Sequence, residues 1–368
     1  QRCKLDLITL LNGRGFPKKT IDRSIREWGA AAARVIRDDP YELTKLAGIG
    51  FKGADKLYCD LARQAASTDE EYQIALGAIH RQGMCAAYAV AQESRQSGST
   101  WLPVGFAKAA VMSNVSRIHA TPDKAIEWAV MDGRLVVREG FIAVARMAFH
   151  ELEIAEFVTG SDDGGDWPLI ERIADGAPEE KPLTIHQRDA ISTAVKYRIG
   201  CIQGSPGVGK TFCVAAIVKA VIARFGRDSI AVCAPTGKAA VRVAQSMAAN
   251  GVDLPASTIH RLLQVEGEGG DGWSFHFNEQ NPLPHRFIVT DEASMIDVDL
   301  LASLLRACTP STHILFVGDT GQLAPVGHGR PFFDLQQVIP TGKLTEIRRN
   351  SGRIVKACAE IRDRNSIT

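Results

Sequence analysis

Gly204-Ser205-Pro206-Gly207-Val208-Gly209-Lys210-Thr211 is the stretch that decides the fold. It fits G-x-x-x-x-G-K-[ST] without a mismatch. A short apolar run, Gly200-Cys201-Ile202, leads into it, and the residues from Lys210 to about Phe225 predict a helix. The glycines let backbone N–H groups turn inward around a β-phosphate, and the helix adds the positive end of its dipole. Lys210 is expected to reach the β- and γ-phosphates, and the Thr211 hydroxyl to ligate Mg2+. A chance glycine loop has no reason to sit between a strand and a helix, so all eight residues are read as the nucleotide's phosphate cradle.

Working outward, further strands are expected at Ile230 to Ala234, Phe287 to Thr290 and His313 to Val317, with helical stretches between them. Strands alternating with helices imply a parallel sheet covered on both faces, hence an α/β P-loop NTPase domain. Phe287-Ile-Val-Thr-Asp291-Glu292-Ala-Ser294 places two carboxylates at the end of an apolar strand. Asp291 is expected to hold Mg2+, directly or through water, and Glu292 to polarise the attacking water as general base. An Asp-Glu pair alone is usually a solvated helix start; this pair follows a strand about 80 residues after the loop, where a P-loop site needs it. Phe316-Val-Gly318-Asp319-Thr-Gly-Gln322 again follows a strand, and Gln322 is expected to touch the γ-phosphate or the attacking water.

The rest of the chain sets the context. At 368 residues it is too long for one core and suggests two or three domains. Hydrophobic residues at 45% and charged residues at 23% are the balance of a soluble globular protein. No apolar run reaches the ~18 residues of a membrane span, so no membrane partner is expected. The eight cysteines are scattered without a C-x-x-C pair and read as reduced thiols of a cytoplasmic protein, not as a zinc site. The net charge of +1 excludes a bulk polycation, but charge is segregated. Residues 1–63 carry 13 Lys/Arg against 8 Asp/Glu, and residues 151–181 carry 10 acids against 2 bases.

Residues 1–66 are expected to be helical, with turns at Asn12-Gly13, Asp39-Pro40 and Gly48-Ile49-Gly50. Residues 67–158 predict short helices and a β-hairpin within Arg134 to Ala145, with Asp132-Gly133 as a turn signal. Residues 159–181 read as an exposed acidic linker. The sheet domain is expected over 182–343, with an inserted hairpin at about 264–284 where Trp273 to Phe277 alternate aromatic and polar. Gly48 and Gly50 give a tight turn that would expose backbone N–H groups, and Lys52 adds charge; a plain αα-hairpin with glycines for turning reads the same way.

In order, these motifs resemble those of the superfamily 1 DNA helicases, and within them the RecD-like branch. Leu183-Thr-Ile-His-Gln187 resembles the segment whose glutamine reads adenine. Ala234-Pro235-Thr236-Gly-Lys238 and Ser257-Thr258-Ile-His260 resemble the DNA-contacting motifs, and Leu344 to Asn350 the motif whose arginine, here Arg349, reaches the γ-phosphate. The first half resembles that family's helix-hairpin-helix and winged-helix-like segments. Two departures stand out: Ala324 replaces a usual proline and Asn350 a usual glutamine.

The resemblance implies an ATP-dependent helicase acting with ATP and Mg2+ on single-stranded DNA and on single/double-strand junctions. It implies 5′-to-3′ movement, DNA repair or recombination, and a bacterial or phage-type cytoplasm. It also implies DNA-phosphate contacts by Gly48, Gly50 and Lys52 of the helix-hairpin-helix, DNA contacts by Pro235, Thr236, Lys238, Thr258 and His260, and a strand-splitting role for the inserted hairpin. Partners would be other repair proteins, or a C-terminal motor domain that begins at 344 and continues beyond this chain. Two other classes compete: an ATP-switched DNA-binding module without motor activity, and a different P-loop enzyme such as a nucleotide kinase. Glu292 and Gln322 argue against the first, because a switch needs no hydrolytic base, and the motif series after Asp291 argues against the second.

Overall fold

The computed structural model describes residues 2–346 except 47, 116–118, 161–166, 169, 176, 178–180 and 270–271. Two compact units emerge: one from the N-terminus to Phe149 together with Glu268–Trp273, the other from His150 to Gly267 and from Ser274 onward.

The first unit is mainly helical. Helices Arg2–Leu11, Lys19–Trp28 and Ala32–Asp38 bury Leu7, Leu10, Leu11 and Ile36 against Leu43 and Leu57. Asp39 leaves the helical region (φ −139°) and caps Pro40–Lys45, which is a 3-10 helix. Gly48 then turns at φ +86°, and helix Phe51–Ala65 follows from Gly50. A capping box on Thr68 and Glu71 starts helix Asp69–Leu76. Beyond it, helix Ile79–Ser97, strand β1 (Trp101–Pro103), helices Val104–Asn114 and Pro122–Met131, and strands β2 (Leu135–Arg138) and β3 (Phe141–Val144) form a winged-helix-like group with sheet order β1-β3-β2. The expected hairpin turns at Glu139-Gly140, both at positive φ as a two-residue loop needs. Asp132-Gly133 instead ends the helix before β2.

The second unit is built on a six-stranded parallel sheet. In chain order its strands are β4 (Ile199–Gly204), β5 (Ile230–Ala234), β6 (Ala256–Thr258), β9 (Phe287–Thr290), β10 (His313–Gly318) and β11 (Thr341–Leu344). Their spatial order is β11-β4-β10-β9-β5-β6, and every pairing is parallel. Strands β4, β5, β9 and β10 are buried almost throughout, as a sheet covered on both faces requires. Helix Ile185–Ala194 lies so close to β4 and β11 that a Cβ at Gly200 would overlap the Ala194 carbonyl, and one at Gly342 the Ala190 carbonyl. Between β6 and β9, strands β7 (Val265–Gly269) and β8 (Gly272–Phe275) form a two-stranded hairpin. Phe275 and Phe277 pack onto the core while Trp273 is half exposed.

Three boundaries differ from the sequence expectation. The second unit begins at His150, not after 158, because Ile154 and Phe157 of helix Ala145–Thr159 pack into its core. Within the acidic segment 159–181, Trp167 is buried and helix Ile170–Asp175 sinks Ile173 completely, so the described part is no exposed linker. Leu344, expected to open a second motor domain, closes this one: it pairs with Gly204 in β11 and is buried.

Candidate functional site

The six strands of the parallel sheet point their carboxyl ends at one edge, and ligands of open parallel sheets bind outside that edge. The phosphate loop leaves β4 there. Gly207 and Gly209 take φ +86° and +95°, a region where a side chain would be strained. Gly204 is packed beneath Val208 and Leu344, so the loop rests on β11. Helix Lys210–Phe225 starts at the loop's end and buries Phe212 to Val218. Lys210 Nζ donates to the loop's own carbonyls, Gly204 at 2.6 Å and Ser205 at 3.4 Å. Thr211 is half-buried one residue further on.

Gln187 reaches this loop from helix Ile185–Ala194. Its Oε1 accepts from Thr184 N–H (3.1 Å) while Thr184 Oγ1 accepts from Gln187 N–H (3.3 Å), closing a capping box. That uses the oxygen and leaves the amide nitrogen. Gln187 Nε2 is buried without a hydrogen-bond partner, and a Cβ on Gly209 would lie only 2.8 Å from it.

The carboxylates follow β9. Burial pushes the Asp291 carboxyl up to about 6; the backbone N–H of Glu292 (2.9 Å), Lys210 and Arg242 pull it down, and the Glu292 carboxylate adds to the rise. Glu292 sits at φ +53°, and its Oε2 is buried without a partner. Ser294 Oγ is buried and unpartnered as well. Buried polar atoms without partners are costly, and these three lie beside the phosphate loop or directly after β9, where a polar ligand would complete them. A divalent cation would reverse the desolvation felt by Asp291, and the oxygen-only set of Thr211 and Asp291 suits Mg2+. The residues present therefore fit ATP with Mg2+.

After β10, buried Asp319 accepts from Gly321 N–H (3.0 Å), its carbonyl accepts from Gln322 N–H (3.1 Å), and Gln203 Nε2 donates to Thr320 Oγ1 (2.7 Å). Gln322 is thus held at the same edge, half-buried.

Further along the edge, Ala234 of β5 pairs with Thr258 of β6, which brings Pro235, Thr236 and Lys238 beside Thr258 and His260. Both threonines cap helices, accepting from Ala239 N–H (3.2 Å) and Arg261 N–H (3.1 Å). A capping hydroxyl still has its own O–H to donate. Lys238 is exposed. His260 lies 5.9 Å from the Phe275 ring, and burial lowers its imidazole pKa. Gly48, Gly50 and Lys52 lie in the other unit, where Gly48 and Lys52 are exposed and Gly50 is pressed on Tyr88. Arg349 and Asn350 lie outside the described residues. Sequence reasoning missed Ser294 and Arg242; only the spacing of Arg242, four residues after Lys238 on one helix, hinted at it.

A covered parallel sheet with a phosphate loop after β4, carboxylates after β9 and a polar loop after β10 defines a P-loop NTPase with a RecA-like sheet. Family comparisons go further. Residues 1–101 match the ATP-dependent RecD2 DNA helicase HHH domain, and residues 187–328 match the AAA domain. The ATP-dependent RecD2 DNA helicase of Deinococcus radiodurans is 31% identical over 94% of this chain, which spans 47% of that protein. The RecBCD enzyme subunit RecD of Mycobacterium tuberculosis is 38% identical over 40% of this chain and 28% of its own length. Among solved structures, Pif1 helicase from Candida albicans matches 49% of this chain and 44% of its own at 21% identity, with a TM-score of 0.37. Along nearly its whole length the chain is similar to the RecD-like DNA helicases, and it spans about half the length of the Deinococcus radiodurans relative.

Proposed function

We propose that this chain is the DNA-engaging and first motor part of an ATP-driven helicase that moves 5′ to 3′ on single strands and opens single/double-strand junctions in DNA repair or recombination. The single observation that carries the reading is the set of unpartnered buried groups at the carboxyl edge of the sheet, Gln187 Nε2 beside Gly209 of the phosphate loop and Glu292 Oε2 and Ser294 Oγ after β9. The Gln187 amide would bind the base. The loop N–H groups and Lys210 would hold the phosphates and neutralise charge as it develops. Glu292, kept from other partners, would take the proton of the attacking water, and Gln322 would orient that water. Mg2+, held by Thr211 and Asp291, would supply charge neutralisation at the phosphate oxygens. Lys238, Thr236, Thr258 and His260 would track a single-stranded backbone without reading sequence, and Gly48, Gly50 and Lys52 would meet DNA phosphates in the other unit. Arg349, outside the described residues, would complete the γ-phosphate contacts. A cytoplasmic setting agrees with the lack, among the described residues, of a helix long and apolar enough to cross a membrane.

The test is ATP turnover by this chain with and without single-stranded DNA, with Lys210→Ala as control. DNA-stimulated turnover that the variant lacks supports the reading. Mg-ATP binding without turnover favours the ATP-switched module, with a further motor domain as the part to supply.

A further inference from the structure

The loop that carries Gln322 is anchored at both ends, and its far anchor lies outside the nucleotide site. At the near end stand the Asp319 and Thr320 hydrogen bonds. At the far end, Val298 N–H donates to the His328 carbonyl (2.9 Å), His328 Nδ1 lies 3.7 Å from Asp299 Oδ2, and Gly327 packs flat on the Asp297 carboxylate, with no room for a Cβ. Between the anchors, Leu323 and Val326 are 90% and 97% exposed, so burial does little to fix the span. Its ends must do so.

The other oxygen of Asp299 is committed elsewhere. Asp299 Oδ1 lies 2.9 Å from Nδ1 of His150, on helix Ala145–Thr159. One turn on, Glu153 of that helix pairs with Arg306 (2.6 Å), at the far end of the helix that Asp297 and Asp299 begin. Both side chains of the His150–Asp299 pair are mostly withdrawn from water, at 9% and 30% exposure, where a charge-assisted hydrogen bond holds geometry well. One carboxylate therefore hydrogen-bonds the imidazole of His150 and lies within ion-pair distance of the imidazole of His328, from segments far apart in sequence.

We propose that Asp299 is a positioning residue for γ-phosphate recognition: its carboxylate ties His328, at the root of the Gln322 loop, to His150, so that helix Ala145–Thr159 and the loop are held as one body. The inference rests on Gln322 as the group that meets the γ-phosphate. A loop with two exposed apolar residues at its tip is placed only as well as its roots, and a sensor misplaced by about 1 Å loses its contact.

The experiment compares equilibrium binding of Mg-ADP and Mg-ATPγS to the full chain and to Asp299→Ala, Asp299→Asn, His328→Ala, the Asp299→Ala/His328→Ala double variant and Lys210→Ala. The readout is the preference for ATPγS over ADP. Each single variant at Asp299 or His328 is expected to lose about tenfold of that preference, with ADP affinity held within about twofold. The double variant is expected to lose no more than either alanine variant alone, because the two groups act as one clamp. Asn keeps the shape of Asp, so Asp299→Asn guards against misfolding of the alanine variant. Unchanged preference in variants that bind ADP normally, or additive losses in the double variant, overturns the inference alone, provided that Lys210→Ala abolishes binding. A wild type that binds neither nucleotide, or binds both equally, overturns the site reading as well.

Discussion

The edge of the parallel sheet and the turn at residues 48–50 were both read from glycines, yet the structure builds them on opposite terms. At the sheet edge, Gln187, Glu292 and Ser294 keep buried polar atoms without partners, and Asp291 is buried enough to resist ionisation. Beneath the turn, Tyr41 O–H donates to Asp55 (2.6 Å), and Asp55 takes both fork nitrogens of Arg81 (2.7 and 2.9 Å). Arg81 also donates to the Leu76 carbonyl (2.7 Å). Among the described residues of the first unit, no buried side-chain polar atom lacks a partner. The first arrangement is incomplete until a ligand arrives. The second is complete in itself and offers only exposed backbone and charge. Orphaned polar atoms are not confined to the sheet edge, since Trp167 Nε1, His285 Nδ1 and Gln336 Nε2 of the second unit also lack partners, so they point to a captured ligand only together with the phosphate loop and the carboxylates beside them.

The largest effect expected to test this contrast is that of Glu292→Gln. Turnover should fall by about 10²–10⁴-fold while Mg-ATP affinity stays within a few-fold, as single-turnover and binding assays would measure. Retained turnover would remove the carboxylate from the chemistry. Arg81→Ala strands the buried Asp55 charge and should destabilise the first unit by about 3–5 kcal/mol in urea titrations, with nucleotide affinity unchanged. A small loss there would mean that the network under the turn is less closed than it looks.

Gln187→Ala should weaken ATP binding by about tenfold, the worth of one to two buried hydrogen bonds, and reduce preference for ATP over GTP in calorimetric titrations. Equal affinities for ATP in the two proteins would show that the unpartnered amide serves the fold alone. Next comes pH. The folded Asp291 carboxyl is raised from 3.8 to about 6, so its proton-bearing form prevails below about 6 and cannot hold a cation. Mg-nucleotide affinity should therefore fall as pH drops through that value. In the free protein the sign for stability is reversed: burial penalises the ionised form, so this group's contribution declines as pH rises from about 4 to about 6. A flat Mg-nucleotide affinity from pH 5 to 7 would exclude Asp291 as the cation's ligand. The smallest effect is that of Lys52→Ala, about threefold in DNA affinity and about one unit less in the salt slope, read by titration at several salt concentrations. No change in slope would leave the turn as scaffold only.

Legibility followed the range of the interactions. Helix Lys210–Phe225 and strands Ile230–Ala234 and Phe287–Thr290 fall where apolar runs and glycine punctuation put them. The short edge strands β6 and β11 carried no comparable pattern, since a three- or four-residue strand has too few side chains to show a period. Charge density misread residues 159–181 as solvated throughout, although Trp167 and Ile173 supply the apolar anchors that bury its described part. Thr236 and Thr258 are read as DNA contacts from their motif, and the structure shows that both cap helices.

By itself, the sequence determined the phosphate loop, the positions along the chain of the main strands that frame it and the carboxylates that follow β9. Each depends on neighbours along the chain: glycine's freedom at positive φ, a helix dipole, an apolar run ending in acid. The tertiary structure alone decided that the Gln187 amide nitrogen has no partner, that burial lifts Asp291, that Leu344 closes the parallel sheet and that Asp299 stands between His150 and His328. Burial and pairing are set by segments that meet only once the chain is packed. A carboxylate's neighbours 149 residues away, as for His150 and Asp299, leave no mark on the residues beside it.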